Sequence, residues 1–120
     1  MSAADTPKPE PTPAGEIDRL IHEPARLAIV ALLAVVESAD MVFLQRQTGL
    51  TMGNLSSHVT KLEAAGYVRI DKTFAGRRPR TMLALTPEGR AALEIYRRQM
   101  QAVLEGLPPA AGADGSGDRG

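Results

Sequence analysis

Two clusters of side chains in this chain have the types and spacing needed to bind a phosphate backbone and read base edges. The first is Thr-Met-Gly-Asn-Leu-Ser-Ser-His-Val-Thr-Lys, residues 51–61. At a helical step of about 100° per residue, Leu55, Val59 and Leu62 fall together and form a buried stripe. Gly53, Asn54, Ser57, Thr60, Lys61 and Ala64 fall opposite them, with Ser56 and His58 on the flanks. Short polar groups and a glycine let a helix approach a groove floor closely. Asn54 suits an adenine edge and Lys61 suits phosphate. Thr51, at the helix start, can offer its hydroxyl and the first backbone N–H groups to phosphate. The second cluster is Arg77, Arg78 and Arg80, beside Gly76 and Pro79. Arginines on a protruding loop can enter a minor groove or clamp its phosphates. Either cluster alone is more simply a solvated helix face or a solubilising charge run. It is their succession that favours DNA contact.

The elements that would hold these groups follow from turn chemistry and apolar spacing. Ile17, Leu20 and Ile21 begin an apolar stripe, Pro24 suits a helical first turn, and Ala25–Val36 is apolar nearly all round. Such a helix has to be buried on several sides, and in a domain this small a second copy of the chain could cover part of that surface. Ser38-Ala39-Asp40 breaks the pattern, and Met41-Val42 leads into a helix near Phe43–Thr48 with Phe43, Leu44 and Gln47 inward. Gly49 closes it. Thr51 caps the next helix and Gly66 ends it. Residues 67–72 alternate as a half-buried strand, residues 75–79 form a loop, and residues 80–85 alternate again. Thr86-Pro87-Glu88 starts a last helix whose apolar row is Ala92, Leu93, Tyr96, Met100, Val103, Leu104 and Leu107.

The chain has 120 residues and a formal net charge of zero, but the charge is unevenly placed. Residues 17–66 carry four basic and five acidic groups. Residues 67–98 carry eight basic groups (Arg69, Lys72, Arg77, Arg78, Arg80, Arg90, Arg97, Arg98) against three acidic ones. Local charge sets phosphate affinity. Residues 1–15 and 108–120 are rich in Pro, Gly, Ala and Asp and read as unstructured tails around a single domain at 16–107. With no cysteine, disulfides, thiolate metal sites and cysteine nucleophiles are excluded. No leader pattern or membrane-spanning run is present, and the expectation is a cytoplasmic protein with no membrane partner.

Residues 51–68 resemble the recognition-helix signature of bacterial winged-helix transcriptional regulators of the MarR/ArsR-like type. The similarity is strongest to the small single-domain winged helix DNA-binding group. Residues 22–29 resemble the start of that family's first helix, and Leu85-Thr-Pro-Glu-Gly-Arg90 resembles its wing-to-last-helix junction. The likeness covers about 17–104. It implies an α+β, mainly helical fold: a winged helix-turn-helix with a two-stranded wing and a C-terminal dimerisation helix. It further implies a dimer that binds double-stranded DNA at an operator and represses or activates a nearby promoter, repression being the expected sign. Implied contacts are Thr51, Asn54, Ser56, Ser57, His58 and Lys61, with Arg77 and Arg78 on the wing. Metal-sensing relatives carry Cys or His/Asp clusters. Here only His22 and His58 stand, far apart in sequence, so neither a metal nor any other cofactor is expected.

The last helix offers more apolar positions than one face of a small domain needs. Leu93, Tyr96, Met100, Val103 and Leu104, with Ile17 and Leu20 from the start of the fold, are therefore assigned to a homodimer. In a two-fold dimer the two recognition helices would sit roughly 34 Å apart, about one DNA turn, on a pseudo-palindrome. A small-molecule effector is compatible with this plan: Met41, Met82, Met100 and Tyr96 could line a pocket, although their spacing fits core better. No catalytic constellation appears, and an enzyme is not expected. The competing class is a winged-helix protein–protein interaction module without direct DNA binding. It would need large apolar groups exposed on the helix or wing, where the sequence places Gly, Asn, Ser, Thr, Lys and Arg.

Overall fold

A computed structural model describes residues 17–107; the two expected tails lie outside the described residues. The elements are α1 (Pro24–Ala34), β1 (Ala39–Asp40), α2 (Met41–Thr48), α3 (Met52–Ala64), β2 (Val68–Ala75), β3 (Arg78–Leu85) and α4 (Pro87–Glu105). The three strands form one antiparallel sheet in the order β1-β3-β2. This is the expected mainly helical α+β architecture with a two-stranded wing.

Local chemistry explains each boundary. Asp40, Thr51 and Thr86 cap α2, α3 and α4, each side chain accepting from the backbone N–H three residues on. Gly49 ends α2 in the left-handed region at φ 74, where a side chain would be strained. The core is Ile29, Val30 and Leu33 from α1, Leu44 from α2, and Leu55, Val59 and Leu62 from α3. Ala39, Val68, Leu83 and Leu85 from the sheet complete it. Burial of each large side chain contributes roughly 1.5–3 kcal/mol, so the Leu55-Val59-Leu62 stripe is what fixes the outward face of α3.

Several expectations need correction. Residues 17–23 form turns rather than a helical stripe, and α1 ends at Ala34, leaving Val35 exposed. The Ala39-Asp40 break is a short strand that pairs with Met82 and Leu83. Capping by Asp40 starts α2 at Met41, which turns Phe43 and Gln47 to solvent and leaves Leu44 as its buried residue. The wing is longer and its turn tighter than expected. Ala75 pairs with Arg78 across a two-residue turn, Gly76-Arg77, with Gly76 at φ 66. Arg78 and Arg80 therefore lie in β3. Pro79 is tolerated there because, one residue past the hairpin's closing pair, its missing N–H would have pointed away from β2.

The turns before α1 are tied to both ends of the fold. Asp18 accepts from the backbone N–H groups of Leu20 (2.9 Å) and Ile21 (3.3 Å) and from the Tyr67 hydroxyl. His22 Nδ1 and the Tyr96 hydroxyl are 2.8 Å apart. His22, which stands just before the Glu23 cap of α1, is thereby also a link to α4.

Candidate nucleic-acid interface

Gly53, Asn54, Ser57, Thr60, Lys61 and Ala64 are all exposed on α3, opposite the buried stripe. The Thr51 hydroxyl accepts from the Asn54 backbone N–H at 3.1 Å. Its own proton remains available to an outside acceptor. Ser56 is exposed on the flank toward the wing, where it lines a cleft with Thr60, Lys72 and Thr81. His58 departs from the set. It is half-buried against α1, where Arg26 donates to its Nδ1 at 3.2 Å and Glu23 lies 4.0 Å away. That geometry turns His58 from the flank of α3 toward α1, away from the open face that its assignment to the DNA contacts would need.

Glu23 caps α1. The Arg26 backbone N–H holds its carboxyl below the usual carboxylate range, with the Arg26 guanidinium adding to the effect.

The basic excess of residues 67–98 resolves into two groups. Five of the eight cations are committed within the fold. Arg69 pairs with Asp71 (3.0 Å), Arg80 with Asp40 (3.3 Å), and Arg97 and Arg98 with Glu94. Arg90 donates to the Ala34 carbonyl at 2.9 Å, satisfying an orphan acceptor at the end of α1. Among the described residues, Lys72, Arg77 and Arg78 form no ion pair, nor does Lys61 on α3. Arg19 and Arg46 are also exposed and unpaired elsewhere on the surface, so four of the six free cations among the described residues stand at the wing and the adjoining helix. Arg80 is exposed but engaged, so it braces the base of the wing against the start of α2.

The wing also carries what the sequence reading overlooked. Phe74 is 68% exposed near the tip, and Met52 is 38% exposed at the first turn of α3. Both contradict the expectation that no large apolar group is open on the helix or wing. The signal for Phe74 was its place in the even-numbered register of β2, four residues beyond the half-buried Ile70.

The residues assigned to a dimer do not share one environment. Tyr96 is buried, while Leu20 and Leu93 pack on the core. Ile17, Met100 and Val103 are half-buried and Leu104 is 63% exposed. An open groove of about 510 Å³ runs between α1 and α4, lined by Leu27, Ala31, Leu93, Tyr96, Met100 and Leu104. Met41, Met82 and Met100 face three separate depressions, so they do not share the single pocket considered from the sequence. Among the described residues no group of three or more His, Asp or Glu could hold a metal, and no helix is long and apolar enough to cross a membrane.

Residues 25–104 match the family model described as a winged helix DNA-binding domain. The chain is 33% identical over 78 residues to an uncharacterised protein of Methanocaldococcus jannaschii, covering 65% of this chain and 85% of that one. Among solved structures it resembles a transcriptional regulator homologue from Pyrococcus horikoshii. The TM-score is 0.72 at 33% identity, over 77% of this chain and 91% of that one. It also resembles a MarR family transcriptional regulator of Streptomyces coelicolor solved in complex with DNA. There the TM-score is 0.58 at 25% identity, over 77% of this chain and 65% of that one.

Proposed function

The chain belongs to the winged helix DNA-binding domain family and is a DNA-binding transcriptional regulator, not an enzyme, and on that premise we propose that it acts as a homodimeric repressor of a pseudo-palindromic operator. In this reading α3 enters the major groove. Asn54, Ser57 and Thr60 face base edges, and Thr51, Ser56 and Lys61 face sugar and phosphate. The wing crosses to the adjacent minor groove with Arg77 and Arg78, while Arg80 steadies it from behind. A second copy covers the apolar groove between α1 and α4, pairing Met100, Val103 and Leu104 across a two-fold axis. The observation that carries the reading is the open, small and polar face of α3 beside a ribbon that holds two uncommitted arginines. The DNA complex of the Streptomyces regulator lends support by likeness of fold.

The test is selection of duplexes from a random pool by the purified chain, followed by footprinting. The expected result is an enriched site with two symmetric halves about one helical turn apart. Failure to retain any duplex at low ionic strength would refute DNA binding, and a single unrepeated half-site would refute the dimer.

A further inference from the structure

The wing ends in a side chain that the fold itself does not use. Strand alternation places Phe74 on the same face of the ribbon as Val68, Ile70 and Lys72. Val68 is buried, and Ile70 and Lys72 line the cleft facing α3. Phe74 therefore projects on the α3 side, about 13 Å further along the ribbon than Ile70 at the usual rise per residue. Pro79 stands directly across from it, and Gly76, Arg77 and Arg78 complete the tip. A phenyl group 68% open to water forgoes the burial that its neighbours along β2 obtain. Strand preference accounts for a β-favouring residue at this position but not for an apolar one, since threonine would serve as well.

We propose that Phe74 is an apolar wedge that enters the minor groove of the bound duplex beside Arg77 and partly unstacks one base step. The inference rests on the reading of the wing as a minor-groove element and adds to it a contact that is not electrostatic. The groove, roughly 6 Å wide, admits a phenyl ring edge-on, and apolar side chains inserted there pry base steps apart and kink the helix. The neighbouring cations hold the ring against the phosphate walls. Pro79, with its fixed φ, keeps the opposite strand of the tip extended, so the ring is presented rather than folded back.

The test uses the full chain and a duplex recovered from a random pool, with the fluorescent base aminopurine substituted in turn through the flanks of the footprint. Wild type is expected to raise aminopurine fluorescence at one step on the wing side and to bend the duplex, read by end-to-end energy transfer. Phe74→Leu keeps both signals. Phe74→Thr, which retains strand preference, loses both and weakens binding by about fivefold or more, with an unchanged salt slope showing that the arginines still engage. If wild type gives no aminopurine signal, or Phe74→Thr matches it in signal and affinity, the wedge is overturned. If changing both Arg77 and Arg78 to Ala also leaves the salt slope unchanged, the wing reading itself fails. A lowered slope in that double variant beside a silent Phe74→Thr would sink the wedge alone.

Discussion

The α3–wing face and the α1–α4 groove are both open to solvent, yet they are made of opposite materials. On the first, short polar side chains and Lys61 on the helix, whose own carboxylate Glu63 lies toward the cleft, join the unpaired cations of the wing, with Phe74 and Met52 as isolated apolar exceptions. On the second, leucine, methionine and the edge of Tyr96 line a groove with charge only at its rim, on Arg97 and Glu105. Exposure is common to both, so exposure does not tell what each one binds. A polyanion competes with water for the first face through hydrogen bonds and counterion release. The second gains only from removing apolar area from water, which a like surface on another copy supplies. In the proposed reading, one small domain separates what it reads from what it pairs with by assigning them to different helices.

The largest expected effect comes from attacking the apolar side. Changing Met100 and Leu104 together to Glu should give a chain that sediments as a monomer at concentrations where wild type is dimeric. Its affinity for a two-half operator should fall by roughly a hundredfold or more, because linkage of the halves is lost. An unchanged sedimentation coefficient would show that the groove is not the pairing surface. Next in size, changing Arg77 and Arg78 to Ala should leave self-association intact, weaken binding to every duplex, and lower the slope of log K against log salt by about 2. An intact slope would move the free charge out of the interface. Asn54→Ala should cost about 1–3 kcal/mol on the selected operator and much less on random duplex, measured by titration at fixed salt. Equal losses would make Asn54 a backbone contact.

The smallest effect concerns the turns that join the two sides. The Asp18 carboxylate, followed by partial burial, pushes the Tyr67 hydroxyl up from 10 to about 12. A raised folded-state value means that its stabilisation is complete below pH 10 and is lost as pH climbs from 10 to 12. Tyr67→Phe should therefore lower thermal stability at pH 8 slightly and flatten the decline between pH 10 and 12. An alkaline limb identical to wild type would detach Tyr67 from the pH dependence.

What the sequence revealed, it revealed through local chemistry. Thr51, Gly49 and Thr86 announce helix ends because capping needs particular atoms at particular offsets. Leu55, Val59 and Leu62 announce a buried face because only one side of a helix meets the core. The misreadings share a different cause. Ala39-Asp40 is a strand only because β3 lies beside it, and two residues carry no periodicity. Phe43 looked like core until capping by Asp40 moved the start of α2 and rotated it outward. His58 sits on the flank of α3, and only the tertiary position of Arg26 decides that it turns inward. The basic run of residues 67–98 could not be divided into spent and free charge without Ala34, Asp40 and Glu94 in place. Gly89 belongs to the same class. A Cβ there would meet the Tyr67 carbonyl oxygen at 2.2 Å, so the start of α4 docks on the sheet only as glycine, yet in sequence it resembles any other first-turn residue.

Pro79 has a bearing on how this protein behaves when crowded. Near the tip, the flank of β3 opposite β2 has no neighbouring strand among the described residues, since β1 reaches only to Met82 and Leu83. An uncovered flank of that kind invites ribbons from other molecules to zip alongside it and grow into insoluble stacks. Proline leaves a gap in the row of donors at the point where such growth would begin. The same ring thus guards the open flank and stiffens a slender, unaccompanied finger.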